Sequence, residues 1–215
     1  MNKAAHMHNF LTTDFYAITS AAHSLGRSNS EVVQILIENG IKVLQYREKD
    51  KSAAAMYAEC LEIRELTRQK GVTFIVNDHI DLAMMVNADG VHVGQDDLPP
   101  AAIRKLVGDK MLLGLSTHSP EQALAAVELG VIDYIGVGPI FATKTKKDVC
   151  EPVGLQYLNY VAQNISLPFV AIGGIKEHNV KEVRAGGAKI ISLVTEIVGA
   201  KDIGAKINAL RAALS

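Results

Sequence analysis

Charged and amide side chains cluster after one short apolar run of the sequence. Gln45, Arg47 and Lys49 alternate along this segment, so in an extended strand they point to the same side. Three polar groups are costly to bury together unless they meet an anion or carboxylates. The segment therefore predicts either an anion-binding site or a structural ion pair beside a solvated lysine.

Two aspartates follow the next two apolar runs. Asn77-Asp78 ends the first of these runs, and Asp97 comes shortly after the second. Two carboxylates at neighbouring strand ends could hold one Mg²⁺, which proteins usually bind through few of their own oxygens together with substrate phosphates. The alternative is that each aspartate caps the helix that follows it. The positive charges of Arg47 and Lys49 favour a metal–diphosphate site.

Hydroxyl groups, lysines and glycines follow the remaining apolar runs. Ser116 could donate a hydrogen bond to a ligand, and His118 is either an acid–base group or an oriented loop histidine. Residues 143–147 combine hydroxyls with lysines, which suits an anion-binding loop, although an exposed basic loop would have the same composition. Gly173-Gly174 and Val194-Thr195 follow the last two runs, where barrel enzymes commonly bind phosphate.

The spacing of these groups predicts the fold. Short apolar runs without polar–apolar alternation are typical of strands buried on both faces, and here they alternate with helix-like segments. The runs cover residues 16–19, 43–47, 73–76, 90–93, 112–116, 134–137, 169–172 and 190–194. About 27 residues per unit fit a single-domain α/β fold, the (β/α)8 TIM barrel, better than a doubly wound open sheet. We expect an N-terminal tail over residues 1–13 and the catalytic barrel over residues 14–215.

Helix boundaries are also marked in the sequence. Ser52 precedes a helical segment as a plausible N-cap, and Ser119-Pro120 combines a cap with a first-turn proline. Gly71 and Gly130 follow the same two segments, as helix-ending glycines do. Active-site groups are expected in the loops that follow the strands.

Composition limits the partners. Hydrophobic residues make up 48% of the 215 residues, which is enough for one sizeable core. The net charge of −1 argues against broad attraction to nucleic acid or to a membrane surface. With two cysteines outside any CxxC motif and no long apolar segment, we expect a cytoplasmic protein. Its partners would be two phosphorylated small molecules, and the oligomeric state, a homo-oligomer included, stays open.

The motifs together resemble those of the thiamine-phosphate synthase family over nearly the whole chain. Seven motifs occur in the family's order: Gln45-x-Arg47-x-Lys49, Asn77-Asp78 with Asp81-Leu82-Ala83, Ala88-Asp89-Gly90-Val91-His92-Val93-Gly94-Gln95-x-Asp97, Gly114-x-Ser116-x-His118, Asp133-Tyr134-x-Gly136-x-Gly138-Pro139, Thr143-x-Thr145-Lys146 and Ile172-Gly173-Gly174-Ile175. The resemblance implies a Mg²⁺-dependent transferase of thiamine biosynthesis. It would join 4-amino-2-methyl-5-hydroxymethylpyrimidine diphosphate to a thiazole phosphate. Diphosphate would leave first, and a carboxylated thiazole would also lose CO2.

The resemblance assigns the site residues to three groups. The pyrimidine diphosphate would contact Gln45, Arg47, Lys49, Asn77, Ser116 and Lys146. The metal ligands would be Asp78 and Asp97. The thiazole phosphate would contact Thr143, Thr145, Gly174, Val194 and Thr195. The residues expected to act most directly in catalysis are Arg47, Lys49, Ser116 and Lys146.

One departure from the family pattern and two other functions need to be considered. The family usually has Val-Ser-Ala or Ile-Ser-Ala where this chain has Val194-Thr195-Glu196, and a carboxylate there would repel a phosphate unless it turns away or pairs with a cation.

One other function is a thiazole tautomerase with His118 as the acid–base group. The full set of diphosphate-binding residues disfavours it. The other is a non-catalytic thiazole- or thiamine-phosphate-binding protein, which Glu196 favours.

Overall fold

The computed structural model describes residues 1–143, 145 and 150–214. Eight parallel strands follow one another around the sheet in chain order. They are β1 (Tyr16–Ile18), β2 (Val43–Tyr46), β3 (Thr73–Asn77), β4 (Gly90–Val93), β5 (Leu112–Thr117), β6 (Tyr134–Val137), β7 (Phe169–Ile172) and β8 (Ile190–Ser192). Phe15 forms a parallel bridge with Ile191, which brings β8 beside β1. The predicted (β/α)8 barrel, a single-domain α/β fold, is confirmed.

Ten α-helices lie within the described residues: α1 (Lys3–Thr12), α2 (Asn29–Glu38), α3 (Ala53–Lys70), α4 (Ile80–Met85), α5 (Pro100–Val107), α6 (Pro120–Leu129), α7 (Gly154–Asn164), α8 (Val180–Ala185), α9 (Val194–Val198) and α10 (Ile203–Leu214). Ser52 caps α3 and Ser119 caps α6 through their side chains, as predicted. Gly71 and Gly130 end these helices in the left-handed conformation that glycine adopts readily. In this part of the chain, no helix is long and apolar enough to cross a membrane.

The strands separate two apolar cores. Side chains that point outward, such as Leu44 and Val137, pack beneath the helices. Side chains that point inward fill the barrel and include Phe10, Tyr16, Ile18, Val43, Ile75, Leu112, Tyr134, Val170 and Ile190. Because both faces of each strand are buried, the strands show the continuous apolar character that predicted them.

The N-terminal segment differs from the expected tail. The sequence predicts a tail over residues 1–13, but most of this segment is helix α1. Phe10 is fully buried inside the barrel, where its ring centroid lies 4.4 Å from that of Tyr134. A single buried aromatic in a polar, His-containing segment is a weak sequence signal, which is why the helix was not predicted.

Polar contacts attach α1 to the ends where the strands begin. His6 Nε2 lies 3.1 Å from a carboxylate oxygen of Asp89, whose other oxygen accepts from Arg64 at 2.8 Å. Lys3 pairs with Asp133 at 2.7 Å. Asp89 and Asp133 directly precede β4 and β6, so α1 covers the amino-terminal end of the barrel. Ligands are therefore expected at the opposite end, where the strands finish.

Candidate active site

The end of β2 carries a buried amide, and the loop that follows it carries solvent-accessible cations. Gln45 is 3% exposed and points into the barrel, where its Nε2 donates to the Tyr16 hydroxyl at 2.9 Å. The Arg47 backbone N–H donates to Thr19 Oγ1 at 3.0 Å, which fixes the start of the loop. Within the described residues, the Arg47 guanidinium has no hydrogen-bond or ion-pair partner. It is therefore available to bind an anion.

The backbone at Asp78 has an uncommon conformation. Asp78 has a φ of +60°, and the His79 N–H donates to the Asn77 carbonyl at 2.7 Å across a three-residue turn. The Asp78 N–H donates to the His92 carbonyl at 2.9 Å, so the turn is held against β4. A positive φ costs a non-glycine residue on the order of 1 kcal/mol, and such residues cluster at functional sites. The Asp78 carboxylate forms an ion pair with Lys49.

Asp97 lies in the loop after β4. Its Oδ2 accepts a hydrogen bond from the Gly94 N–H at 2.6 Å, which folds the loop back onto the strand end. Asn77 pairs with His92 in the sheet register, so Asp78 and the loop containing Asp97 leave the barrel at the same level. Both aspartates therefore lie at the carboxyl-terminal rim, in the loops that follow two neighbouring strands.

Neither aspartate caps a helix. The N-cap positions of α4 and α5 are His79 and Pro99, and no side chain makes a capping hydrogen bond at either. Helix capping, the alternative function for the two carboxylates, is therefore wrong.

The donor set at this rim suits Mg²⁺ shared with a substrate. Among the described residues, no group of three or more His, Cys, Asp or Glu side chains could hold a metal alone. Two carboxylates supply hard oxygen ligands and leave other coordination positions to phosphate oxygens and water. Asp78 and Asp97 thus fit a Mg²⁺–diphosphate site and do not fit an all-protein metal cage.

A chain of hydrogen bonds crosses the barrel interior and ends at Ser116. Beyond Gln45, the Tyr16 and Tyr134 hydroxyls lie 2.9 Å apart, and Tyr134 lies 3.1 Å from His92 Nδ1. His92 Nε2 lies 2.9 Å from Ser116 Oγ. Burial raises the pKa of both tyrosines, so both hydroxyls keep their protons. Tyr16, Tyr134 and His92 were not among the predicted site residues.

One set of donors and acceptors satisfies every contact in this chain. An amide Nε2 only donates, so the Tyr16 hydroxyl accepts from Gln45, and in this set it donates to Tyr134. Tyr134 then donates to His92 Nδ1, and His92 Nε2 carries a proton. Ser116 Oγ accepts from that Nε2, and its own proton is left to donate to a ligand.

Gly114 makes room for this chain of hydrogen bonds. A Cβ at Gly114 would lie 2.2 Å from Tyr134 Cζ and 2.4 Å from His92 Nδ1, and real side chains never approach so closely. A glycine in the middle of a strand signals a close approach of this kind. Gly114 is therefore a signal in the sequence that could have indicated the interior network.

His118 follows β5 and is oriented by the backbone of the next loop. Its Nδ1 lies 2.5 Å from the Gly138 carbonyl, and its backbone N–H donates to Gln122 Oε1 at 2.7 Å. Since a carbonyl oxygen only accepts, Nδ1 carries the proton. His118 is thus an oriented loop histidine, whether or not it also transfers protons.

The loops after β6 and β7 pack backbone against backbone. The Ile140 N–H donates to Ile172 and the Phe141 N–H to Gly173, both at 2.9 Å. Gly174 has a φ of +65°, and a Cβ there would lie 2.6 Å from the Ala142 carbonyl oxygen. Only glycine fits this contact, which brings the loop of Thr143 beside Gly174.

The hydroxyls of that loop lie together. The Thr143 and Thr145 hydroxyls are 3.0 Å apart, and the Thr145 N–H donates to Thr143 Oγ1 at 3.3 Å. Lys146, expected to contact the pyrimidine diphosphate, lies outside the described residues, as do Lys144 and Lys147. The structure therefore brings two of the three threonines expected at the thiazole phosphate beside Gly174.

The third threonine lies in a helix. The run predicted as a strand over residues 190–194 ends at Ser192, and Val194 and Thr195 begin the short helix α9. The Thr195 hydroxyl accepts from Lys176 Nζ at 2.9 Å. Placing Val194 in the strand was wrong, because an apolar run alone does not distinguish a strand end from a buried first helical turn.

Glu196 is paired with cations. Its carboxylate lies 3.1 Å from Lys176 Nζ and 3.3 Å from Lys206 Nζ. Burial alone would raise the pKa of Glu196, but the two lysines outweigh burial and hold it below its usual value. The repulsion expected between Glu196 and a phosphate is therefore compensated within the protein.

The fold and the rim residues are typical of a barrel enzyme that binds phosphorylated small molecules. The family model described as thiamine monophosphate synthase matches residues 15–197. The chain therefore belongs to the thiamine monophosphate synthase family, as its motifs predicted.

Individual relatives agree with this result. The chain is 70% identical to a thiamine-phosphate synthase of Pelotomaculum thermopropionicum over 95% of this chain and 94% of that protein. It is 54% identical to one of Lawsonia intracellularis, with the same two coverages of 95% and 94%. Among solved structures, thiamine phosphate pyrophosphorylase from Pyrococcus furiosus superposes with a TM-score of 0.85 at 31% identity, covering 97% of both chains.

Proposed function

We propose that this chain forms thiamine phosphate from two phosphorylated substrates that bind side by side at the carboxyl-terminal rim of its barrel. Its family membership makes it a thiamine-phosphate synthase and a transferase. The assignment of site residues, the metal and the form of the thiazole are parts of the proposal. One observation carries it: the Lys49–Asp78 ion pair joins the loop after β2 to the end of β3, so a cation and a carboxylate meet at one rim of the barrel.

The diphosphate end lies over β2, β3 and β4. Arg47 binds the diphosphate through its guanidinium, and Lys49 turns from Asp78 toward the same oxygens. Asp78 and Asp97 would hold Mg²⁺, which when bound neutralises charge on the departing diphosphate. Lys146, from the resemblance, adds a third cation. Positive charge placed where negative charge develops lowers the barrier to bond cleavage.

The pyrimidine ring lies between the interior network and the rim. Because Gln45 Nε2 donates to Tyr16, its Oε1 is the atom that accepts from the ring amino group. Ser116 donates its remaining proton to the substrate, and Asn77 lines the same end of β3. The interior network holds Gln45 and Ser116 at fixed positions before the substrate binds.

The thiazole phosphate lies at the other side of the rim, against Thr143, Thr145, Gly174, Val194 and Thr195. The bond between the pyrimidine methylene carbon and diphosphate breaks, and its electron pair leaves with the diphosphate. The thiazole nitrogen lone pair then forms the new carbon–nitrogen bond. With a carboxylated thiazole, the electron pair released by loss of CO2 returns to the ring. Holding the thiazole in place lets it react before water does.

The test uses the full chain with both substrates and Mg²⁺, and measures diphosphate release and thiamine phosphate. We expect Asp97→Asn to lower turnover by roughly a hundredfold or more, because a metal-bound charge contributes several kcal/mol at the transition state. Asp109→Asn, a matched change at an exposed turn, should leave turnover unchanged.

The alternatives give different results in the same assay. Full turnover with EDTA, or in Asp97→Asn, would refute the metal assignment. Isomerisation of the carboxylated thiazole without the pyrimidine substrate would indicate a tautomerase that uses His118. Binding of thiazole phosphate without any turnover would indicate a non-catalytic binding protein.

A further inference from the structure

A lysine that the family resemblance does not assign lies beside the proposed thiazole-phosphate site. Lys176 follows Gly174 by two residues, and its Nζ donates to the Thr195 hydroxyl at 2.9 Å. The same Nζ lies 3.1 Å from a carboxylate oxygen of Glu196. The lysine therefore bridges the loop after β7 and the first turn of α9.

The backbone beneath Lys176 is fixed. Its N–H donates to Asn179 Oδ1 at 2.7 Å, and Asn179 Nδ2 donates to the Gly174 carbonyl at 3.2 Å. Asn179 is buried, so this turn is rigid while the lysine side chain remains 36% exposed. A fixed backbone with an accessible ammonium group suits the capture of a ligand from solvent.

The charges around Lys176 allow it to change partners. The two oxygens of Glu196 are shared between two lysines: Oε2 lies near Lys176, and Oε1 lies 3.3 Å from Lys206. Lys206 also pairs with Glu177 at 2.8 Å. When Lys176 turns away, Glu196 keeps a cationic partner, so no carboxylate is left unpaired near the site.

We propose that Lys176 binds the phosphate of the thiazole substrate, and that Glu196 holds it over Thr195 until the substrate arrives. This inference rests on the proposed function, because it takes Thr195 as a phosphate contact. It explains why a carboxylate is tolerated at position 196. Glu196 holds the lysine in its resting position and competes with the phosphate for it, and Lys206 balances the charge of Glu196.

A purely structural role for Lys176 predicts a different outcome. An ion pair that is a third exposed contributes little to folding, so its removal should barely change stability. A charge-assisted hydrogen bond to a phosphate, by contrast, strengthens binding by about tenfold or more. A comparison of thiazole phosphate with the dephosphorylated thiazole therefore distinguishes a phosphate-binding role of Lys176 from a structural one.

The experiment compares wild type, Lys176→Met, Lys176→Arg and Lys181→Met, a matched loss of an exposed lysine on α8. Calorimetry measures binding of thiazole phosphate and of the dephosphorylated thiazole, and turnover is measured with both. We expect Lys176→Met to weaken thiazole-phosphate binding and raise its KM about tenfold, with the pyrimidine diphosphate KM unchanged. The dephosphorylated thiazole should not distinguish the variant from wild type, and Lys176→Arg should recover most of the loss.

Each other outcome overturns a specific statement. Equal losses with both thiazoles, or no loss with the phosphate, would refute the role of Lys176. A wild-type chain that binds thiazole phosphate but never releases diphosphate would refute the proposed function, while the binding comparison would still decide the role of Lys176. A wild type that neither binds nor turns over would overturn both.

Discussion

Replacement of Tyr134 by phenylalanine tests whether the interior network positions the site. The hydroxyl of Tyr134 contacts the Tyr16 hydroxyl at 2.9 Å and His92 Nδ1 at 3.1 Å. Removal of this hydroxyl takes away the acceptor for the Tyr16 O–H and the donor to His92 Nδ1. Each buried polar group that loses its partner costs about 1–3 kcal/mol, so for two groups we expect a loss of about 2–6 kcal/mol in the free energy of unfolding.

Tyr157 provides a matched control. Its hydroxyl is also buried, but it donates a single hydrogen bond, to Thr117 Oγ1 at 2.7 Å, in the outer layer of the barrel. Thr117 Oγ1 still donates to the Gly136 carbonyl when Tyr157 is replaced, so no donor is left without an acceptor. We therefore expect Tyr157→Phe to cost only about 1 kcal/mol.

Urea unfolding measures both free energies, and steady-state kinetics measure the effect on the site. Because the hydroxyl that contacts His92 Nδ1 is removed, His92 and Ser116 should both lose orientation in Tyr134→Phe. We expect kcat/KM for the pyrimidine diphosphate to fall about tenfold or more in that variant and to stay unchanged in Tyr157→Phe. Equal effects of the two substitutions on stability and activity would refute the network as a positioning device.

Two further predictions concern charge. Glu196→Gln should lower the KM for thiazole phosphate about twofold to fivefold, because it releases Lys176 and removes a negative charge. Glu182→Gln, at an exposed position, is the control and should leave this KM unchanged. An increase in the KM of Glu196→Gln would contradict the proposed role of Lys176 and Glu196. Burial holds the pKa of His6 below its usual 6.5 despite the opposing charge of Asp89, so the unfolded chain binds this proton more readily. The stability contribution of neutral His6 is therefore present above pH 6.5 and is lost as pH falls below it. Urea unfolding at a series of pH values should show that the free energy of unfolding depends less steeply on pH in His6→Gln than in wild type. An unchanged slope of this free energy against pH would show that His6 does not carry the effect.

Strands and helix caps were predictable because their signals are local. The caps at Ser52 and Ser119 depend on residues within one helical turn, and the left-handed glycines at positions 71 and 130 follow directly. The eight apolar runs also needed no long-range information, since burial on both faces leaves its mark in each run alone. The strand order follows from the chain order once the barrel is inferred.

Features that join distant parts of the chain were not predictable in the same way. Tyr16 and Tyr134 are 118 positions apart in sequence and meet only because the barrel closes. Phe10 is buried by the barrel interior and not by its own helix, so α1 looked like a tail. The partners of Glu196 come from the loop after β7 and from α10, and neither could be read from the motif around residue 196.

We propose that the two rim aspartates bind Mg²⁺ together with the leaving diphosphate. A crystal structure of the full chain soaked with pyrophosphate and Mn²⁺, whose anomalous signal locates the ion, would show whether they do. We predict one ion between the carboxylates of Asp78 and Asp97, with diphosphate oxygens completing its coordination and Lys49 moved from Asp78 to the diphosphate. An ion bound elsewhere, or diphosphate bound only beside Thr195 and Lys176, would contradict the account.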